Sequence, residues 1–146
     1  MIELKFFLLS LTIPISIFLG FLIASLTKPE LLQGKNYFIF LKKALASLII
    51  GIFFYSQGLG FNALFAVFIF LIYLFIDEFD FIFYVLSAAI FGFLYETAFF
   101  DLIAVLLFVV GIPVGSLIYI EKRFSKVLAF SFIFLFIANL IFLLAK

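Results

Sequence analysis

Eight Asp and Glu residues, with no His and no Cys, define the chemistry open to this 146-residue chain. Two acidic groups are spaced to do something. In Asp77-Glu78-Phe79-Asp80, the two aspartates stand three residues apart, which on a helix sets them on one face. Oxygen ligands at that spacing suit Mg²⁺ or Ca²⁺, so Asp77 and Asp80 are the metal candidates. The second group is Glu96 with Asp101, in Tyr95-Glu96-Thr97-Ala98-Phe99-Phe100-Asp101. Glu96 continues the line Ala88–Gly92–Glu96, so a helix running that far aims its carboxylate into a bundle, where it could take a proton or bind a cation. A turn beginning near Glu96 would instead leave both acids wetted. Asn139 lies inside an apolar stretch, and Pro14 and Pro113 each free a backbone carbonyl within one. Glu96, Asp101 and Asn139 are therefore the ligand or ion candidates.

The missing residue types exclude much. Zinc sites, haem ligation, Ser-His and Cys-His nucleophiles and disulfides all need His or Cys, so no catalytic residue and no cofactor is assigned. A net charge of +1 is no nucleic-acid footprint.

The elements that must position these groups follow from composition. Hydrophobic residues make up 69% of the chain and charged residues 12%, against roughly 45–50% and about 25% in soluble domains. This is an all-α, polytopic transmembrane bundle forming a single domain, 1–146. A hydrocarbon core of ~30 Å needs about 20 apolar residues per crossing. Stretches 6–26, 81–99, 102–120 and 127–145 each supply one. The uncharged stretch 44–76 is long for one helix and short for two, and is interrupted by Ser56-Gln57-Gly58-Leu59-Gly60-Phe61-Asn62, a turn-forming cluster. Splitting it there gives spans 44–58 and 61–76, about six short spans in all.

The positive-inside rule favours that split. With six crossings, Lys28, Lys35, Lys42 and Lys43 fall on the same side as Lys122, Arg123 and Lys126. Five crossings would separate the two basic groups. The six tyrosines then fall at or near the interfaces, with Tyr84 near an inner span end. The connection 27–43 is expected to lie along the inner surface as a basic loop, with Pro29 at a helix start. The Asp77–Asp80 group would be inside and the Glu96–Asp101 group outside, about 25 Å apart, too far for one site. The first span is too long, and lacks a small-residue cleavage site, for a cleavable signal peptide.

Helix association in lipid depends on close packing, because lipid tails are as apolar as leucine. Small residues recur at four-residue spacing: Thr12, Ser16, Gly20 and Ala24; Ser47 and Gly51; Ala88 and Gly92; Gly111 and Gly115. These faces are expected to point into the bundle. The 27 phenylalanines are bulk filler with no cofactor-box spacing. Gly58-Leu59-Gly60-Phe61-Asn62-Ala63-Leu64 is similar to a loop of the rod-shape accessory membrane proteins, but seven residues carry no function across.

The leading expectation is a non-enzymatic accessory or scaffold subunit of the cell membrane. Its partners would be the bilayer and other membrane proteins or itself, docked through small-residue faces and the basic inner loop. A small-solute or ion transporter, or its binding subunit, is the alternative. A Mg²⁺-dependent lipid enzyme built on Asp77 and Asp80 is the third.

Overall fold

A computed structural model describes residues 2–58, 68, 72 and 80–144, apart from the side chains of 2, 28–32, 80 and 81. Among the described residues the structure is all-helical, with α1 Ile2–Leu26, α2 Lys28–Ser56, α3 Asp80–Phe93, α4 Phe100–Ile120 and α5 Phe124–Leu144. Among the described residues four helices are long and apolar enough to cross a membrane: α1, α4, α5, and α2 over Gln33–Ser56. The fifth, α3, has 14 residues, a rise of about 21 Å, well below the hydrocarbon thickness.

Two expected boundaries are corrected. The stretch 27–43, read as a loop, is helical from Lys28, with proline in the first turn of α2. Proline is pre-shaped for that position, and its missing N–H is one the first turn does not use. The charges of Lys35, Lys42 and Lys43 end an apolar run without ending a helix, since lysine is a good helix former. Span 81–99 is shortened: α3 stops at Phe93, and 94–99 form turns closed by Thr97 N–H to Leu94 O (2.9 Å) and Phe100 N–H to Thr97 O (3.2 Å). Span 61–76 lies outside the described residues except for Phe68 and Ile72, both helical and exposed.

Other termini follow local rules. Gly58 adopts φ +77° just after α2, its N–H bonding back to Tyr55 O at 3.0 Å. That left-handed conformation costs glycine nothing. Lys122 holds the same region at φ 55° after α4, and Arg123 N–H reaches back to Ile118 O at 3.4 Å, a Schellman-type end.

Contacts fix the helix directions. Lys5 meets Asp101, and Ser116 meets Gly20, so α1 and α4 run parallel. Tyr84 stacks on Phe130, and Gly92 faces Ala138 and Ile141, so α3 and α5 are also parallel. Phe6 against Phe142 sets α5 antiparallel to α1. Tyr55 against Phe99 brings the end of α2 to the start of α4. Hence α1 and α4 run from the Lys5 end towards the Lys122 end, and α2, α3 and α5 run back. Helices α2 and α3, consecutive among the described elements, therefore point the same way.

The tightest seam joins α1 to α4. A Cβ at Gly20 would collide with the Ile112 carbonyl, one at Gly115 with the Ile17 carbonyl and the Phe21 nitrogen, and one at Gly111 with Ser16 Oγ. Ser16, Gly20, Ala24, Gly111 and Gly115 are buried, and Thr12 is half-buried. The hydroxyl of Ser116 lies 3.1 Å from both Gly20 O and Ile112 O; such interhelical hydrogen bonds contribute about 0.6 kcal/mol on average. Ser47 and Gly51 are buried on α2, and Ala88 and Gly92 on α3. Tyr84, expected in an interfacial belt, is buried instead against Phe130.

Candidate functional site

At the Lys5 end, the first turns of two parallel helices bring a cation and an anion together. Lys5 Nζ lies 2.7 Å and 2.9 Å from the two carboxylate oxygens of Asp101. Both side chains are more than half exposed, at 57% and 67%, so the pair is worth at most about 1 kcal/mol. Beside it opens an apolar groove of about 650 Å³ between Leu4, Leu8 and Thr12 of α1 and Ala104, Val105 and Phe108 of α4.

Glu96 is exposed in the turn after α3. The line Ala88–Gly92–Glu96 is broken because the helix ends at Phe93, so the carboxylate does not enter the bundle. Below that turn an aromatic cluster closes the same end: Phe6 packs on Phe142 at 4.3 Å, Phe91 at 5.1 Å, Tyr95 at 5.3 Å and Phe100 at 5.9 Å between ring centroids. Those rings separate Glu96 from the membrane-depth interior. Asn139, half-buried on α5, donates its amide to Leu135 O at 2.7 Å, a bond within its own helix. The three ligand candidates thus have separate roles: Asp101 is held by Lys5, Glu96 faces solvent, and Asn139 is bonded to its own backbone.

Of the metal candidates, Asp77 lies outside the described residues, and Asp80 opens α3 with its side chain not described. Among the described residues no three acidic groups converge.

The Lys122 end carries the basic groups. Lys122 and Arg123 are exposed between α4 and α5, and Lys126 pairs with Glu121 at 2.5 Å. On α2 the basic residues part company. Lys35 is exposed beside Asn36 and Tyr37, whereas Lys42 and Lys43 are buried at 7% and 4% exposure. This corrects the reading of all four α2 lysines as one surface loop, although the side chain of Lys28 itself is not described. Lys42 and Lys43 each have a partner, as charges buried in a helix of this kind require. Charge alone could not show this, because a lysine reads the same in a loop and on a helix face.

One polar pair escaped the sequence reading. Tyr84 and Ser87, three residues apart on α3, are both buried. Their types and spacing are ordinary in an apolar helix; only the packing of four helices around them makes them distinctive.

No family model, curated protein or solved structure matches the chain.

Proposed function

We propose that the protein is a six-pass subunit of the cell membrane, an accessory or scaffold component that docks by its basic end. The observation carrying the docking surface is the exposed segment Lys35, Asn36 and Tyr37 of α2. At about 1.5 Å per residue, the 29 residues of α2 measure about 43 Å, about 12 Å more than the 21 residues of α4. Among the described side chains of α2 the buried positions begin at Lys42, with Lys35, Asn36 and Tyr37 exposed ahead of them. The same end of the bundle carries Lys122 and Arg123. A basic, partly aromatic helical segment suits an acidic partner surface or anionic headgroups. The small-residue faces, first considered for docking, are occupied inside the bundle by the α1–α4 and α3–α5 contacts. The scattered placement of Asp101, Glu96 and Asn139 further favours a subunit over a transporter.

Six passes are supported by helix direction. The end of α2 and the end of α3 both lie at the Lys5 end, while the start of α3 lies towards the Lys122 end, an arrangement that one further pass between them would accommodate. A helix through 59–79 would rise about 31 Å, close to the hydrocarbon thickness. Because the chain contains no cysteine, single cysteines give a clean test with a membrane-impermeant thiol reagent on intact cells. Cysteine at Gln57 or Glu96 is expected to label and cysteine at Lys35 or Arg123 to stay protected; labelling that separates Lys35 from Arg123 would overturn the arrangement.

The functional proposal is tested by native mass spectrometry of the protein gently extracted at its natural expression level. A stoichiometric complex with other polypeptides is expected, and Lys35→Glu with Tyr37→Ala should deplete it at least tenfold. A monomer or homo-oligomer carrying a bound solute, with uptake lost in Glu96→Gln, would place the protein among transporters.

A further inference from the structure

At the centre of the bundle, Ser87 departs from the pattern of the other hydroxyls. Ser10, Thr12, Ser16, Ser47, Ser116 and Ser131 each donate to a carbonyl three or four residues back, at 2.7–3.1 Å. Ser87 is only 2% exposed, yet among the described residues its Oγ has no hydrogen-bond partner. It borders a cavity of about 10 Å³ bounded by Ile13 and Ile17 of α1, Leu107 and Gly111 of α4, and Phe134 of α5. Tyr84, one turn earlier on the same face, borders it too. The ring of Tyr84 is held by stacking on Phe130, with centroids 4.3 Å apart and planes 20° from parallel. That stacking fixes the ring of Tyr84 beside the cavity.

We propose that this cavity is a binding site for one water molecule, bridging Ser87 Oγ and Tyr84 Oη at the meeting point of α1, α3, α4 and α5. The volume admits one water and no organic solute. Cavities that stay empty are apolar, whereas a polar atom in the wall gives water a reason to enter. A hydroxyl left unbonded at membrane depth is costly, since no bulk water can reach it. Each of the two hydroxyls offers both a donor and an acceptor, so a bridging water makes at least two hydrogen bonds, the lower end of the usual range.

The test is water-edited solid-state NMR on the full chain in lipid bilayers, with isotope-labelled Ile, Ser and Tyr. Transfer from water to Ser87 and to the Ile17 methyls is expected, at positions where the surrounding bilayer supplies none. Ser87→Ala should reduce that transfer at least fivefold while shifts elsewhere in the bundle persist. Should Ser87→Ala fail to fold, Tyr84→Phe provides the second variant, with a weakened transfer expected. A wild-type spectrum without transfer at Ser87, its hydroxyl bonded to the Phe83 carbonyl, would overturn the assignment; so would transfer that survives unchanged in the Ser87→Ala, Tyr84→Phe double variant.

Discussion

Gly115→Leu is expected to destabilise the protein by about 3 kcal/mol or more, seen as a large fall in unfolding temperature in detergent. Added bulk in a well-packed interior costs typically 1–3 kcal/mol when side chains can adjust. Here the obstruction is backbone. The first atom added to Gly115 meets the Ile17 carbonyl and the Phe21 nitrogen, and the first added to Gly20 meets the main chain of Ile112. Neither can rotate away, so the two helices must separate, taking the Ser116 contact with Gly20 with them. Gly111 gives a graded comparison, because its nearest obstruction is the hydroxyl of Ser16, which can swing. Gly111→Ala should therefore cost less than Gly115→Ala. Phe132→Leu and Phe136→Leu, on the outer face of α5, should stay within about 0.5 kcal/mol. Equal losses at the glycines and at the outer phenylalanines would refute the seam.

Phe6→Ala is the second large expected effect. Phe6 is 1% exposed and touches four other rings drawn from α3, α4, α5 and the turn after α3. In a soluble core such a truncation costs 3–5 kcal/mol, part transfer and part cavity. In a bilayer the transfer part largely disappears, because an unpacked phenylalanine is still surrounded by hydrocarbon. What remains is lost ring contact and unfilled space, about 2 kcal/mol. Phe136→Ala, which removes a ring already 70% exposed, should be close to neutral. Reversible unfolding in bilayers measures the difference; a cost at Phe136 matching that at Phe6 would mean that the cluster does not hold this end together.

These two effects divide along what the sequence discloses. The four-residue spacing of Ser16 and Gly20, and of Gly111 and Gly115, can be read directly, because a missing side chain is a local property. Which helix faces which cannot, since every small ridge fits every other. The same holds for phenylalanine: 27 copies conceal the few that form a cluster. The grouping of Lys35 with Lys122 and Arg123 at one end was legible from charge, but depth was not. Lys35 and Lys42 stand seven residues apart, two helical turns, yet one is exposed and the other buried. The position of Glu96 depended on where α3 stopped, and no glycine or proline follows Phe93 to mark the end. Ser87 was not legible at all, because an orphan hydroxyl exists only once four helices have closed around it.

The parallel seam has a consequence in time. Gly20 and Ser116 are 96 residues apart, so α1 is complete long before its partner exists. At roughly 5–20 residues per second, the ribosome takes about 5–20 s to supply the second half of the contact. During that interval the groove on α1 meets lipid or the insertion machinery, and α2 offers little relief because it packs mainly on α4. Synthesis thus passes through a state whose most adhesive face is open. A chain halted before α4 would keep that face, a ready mark for a membrane quality-control protease.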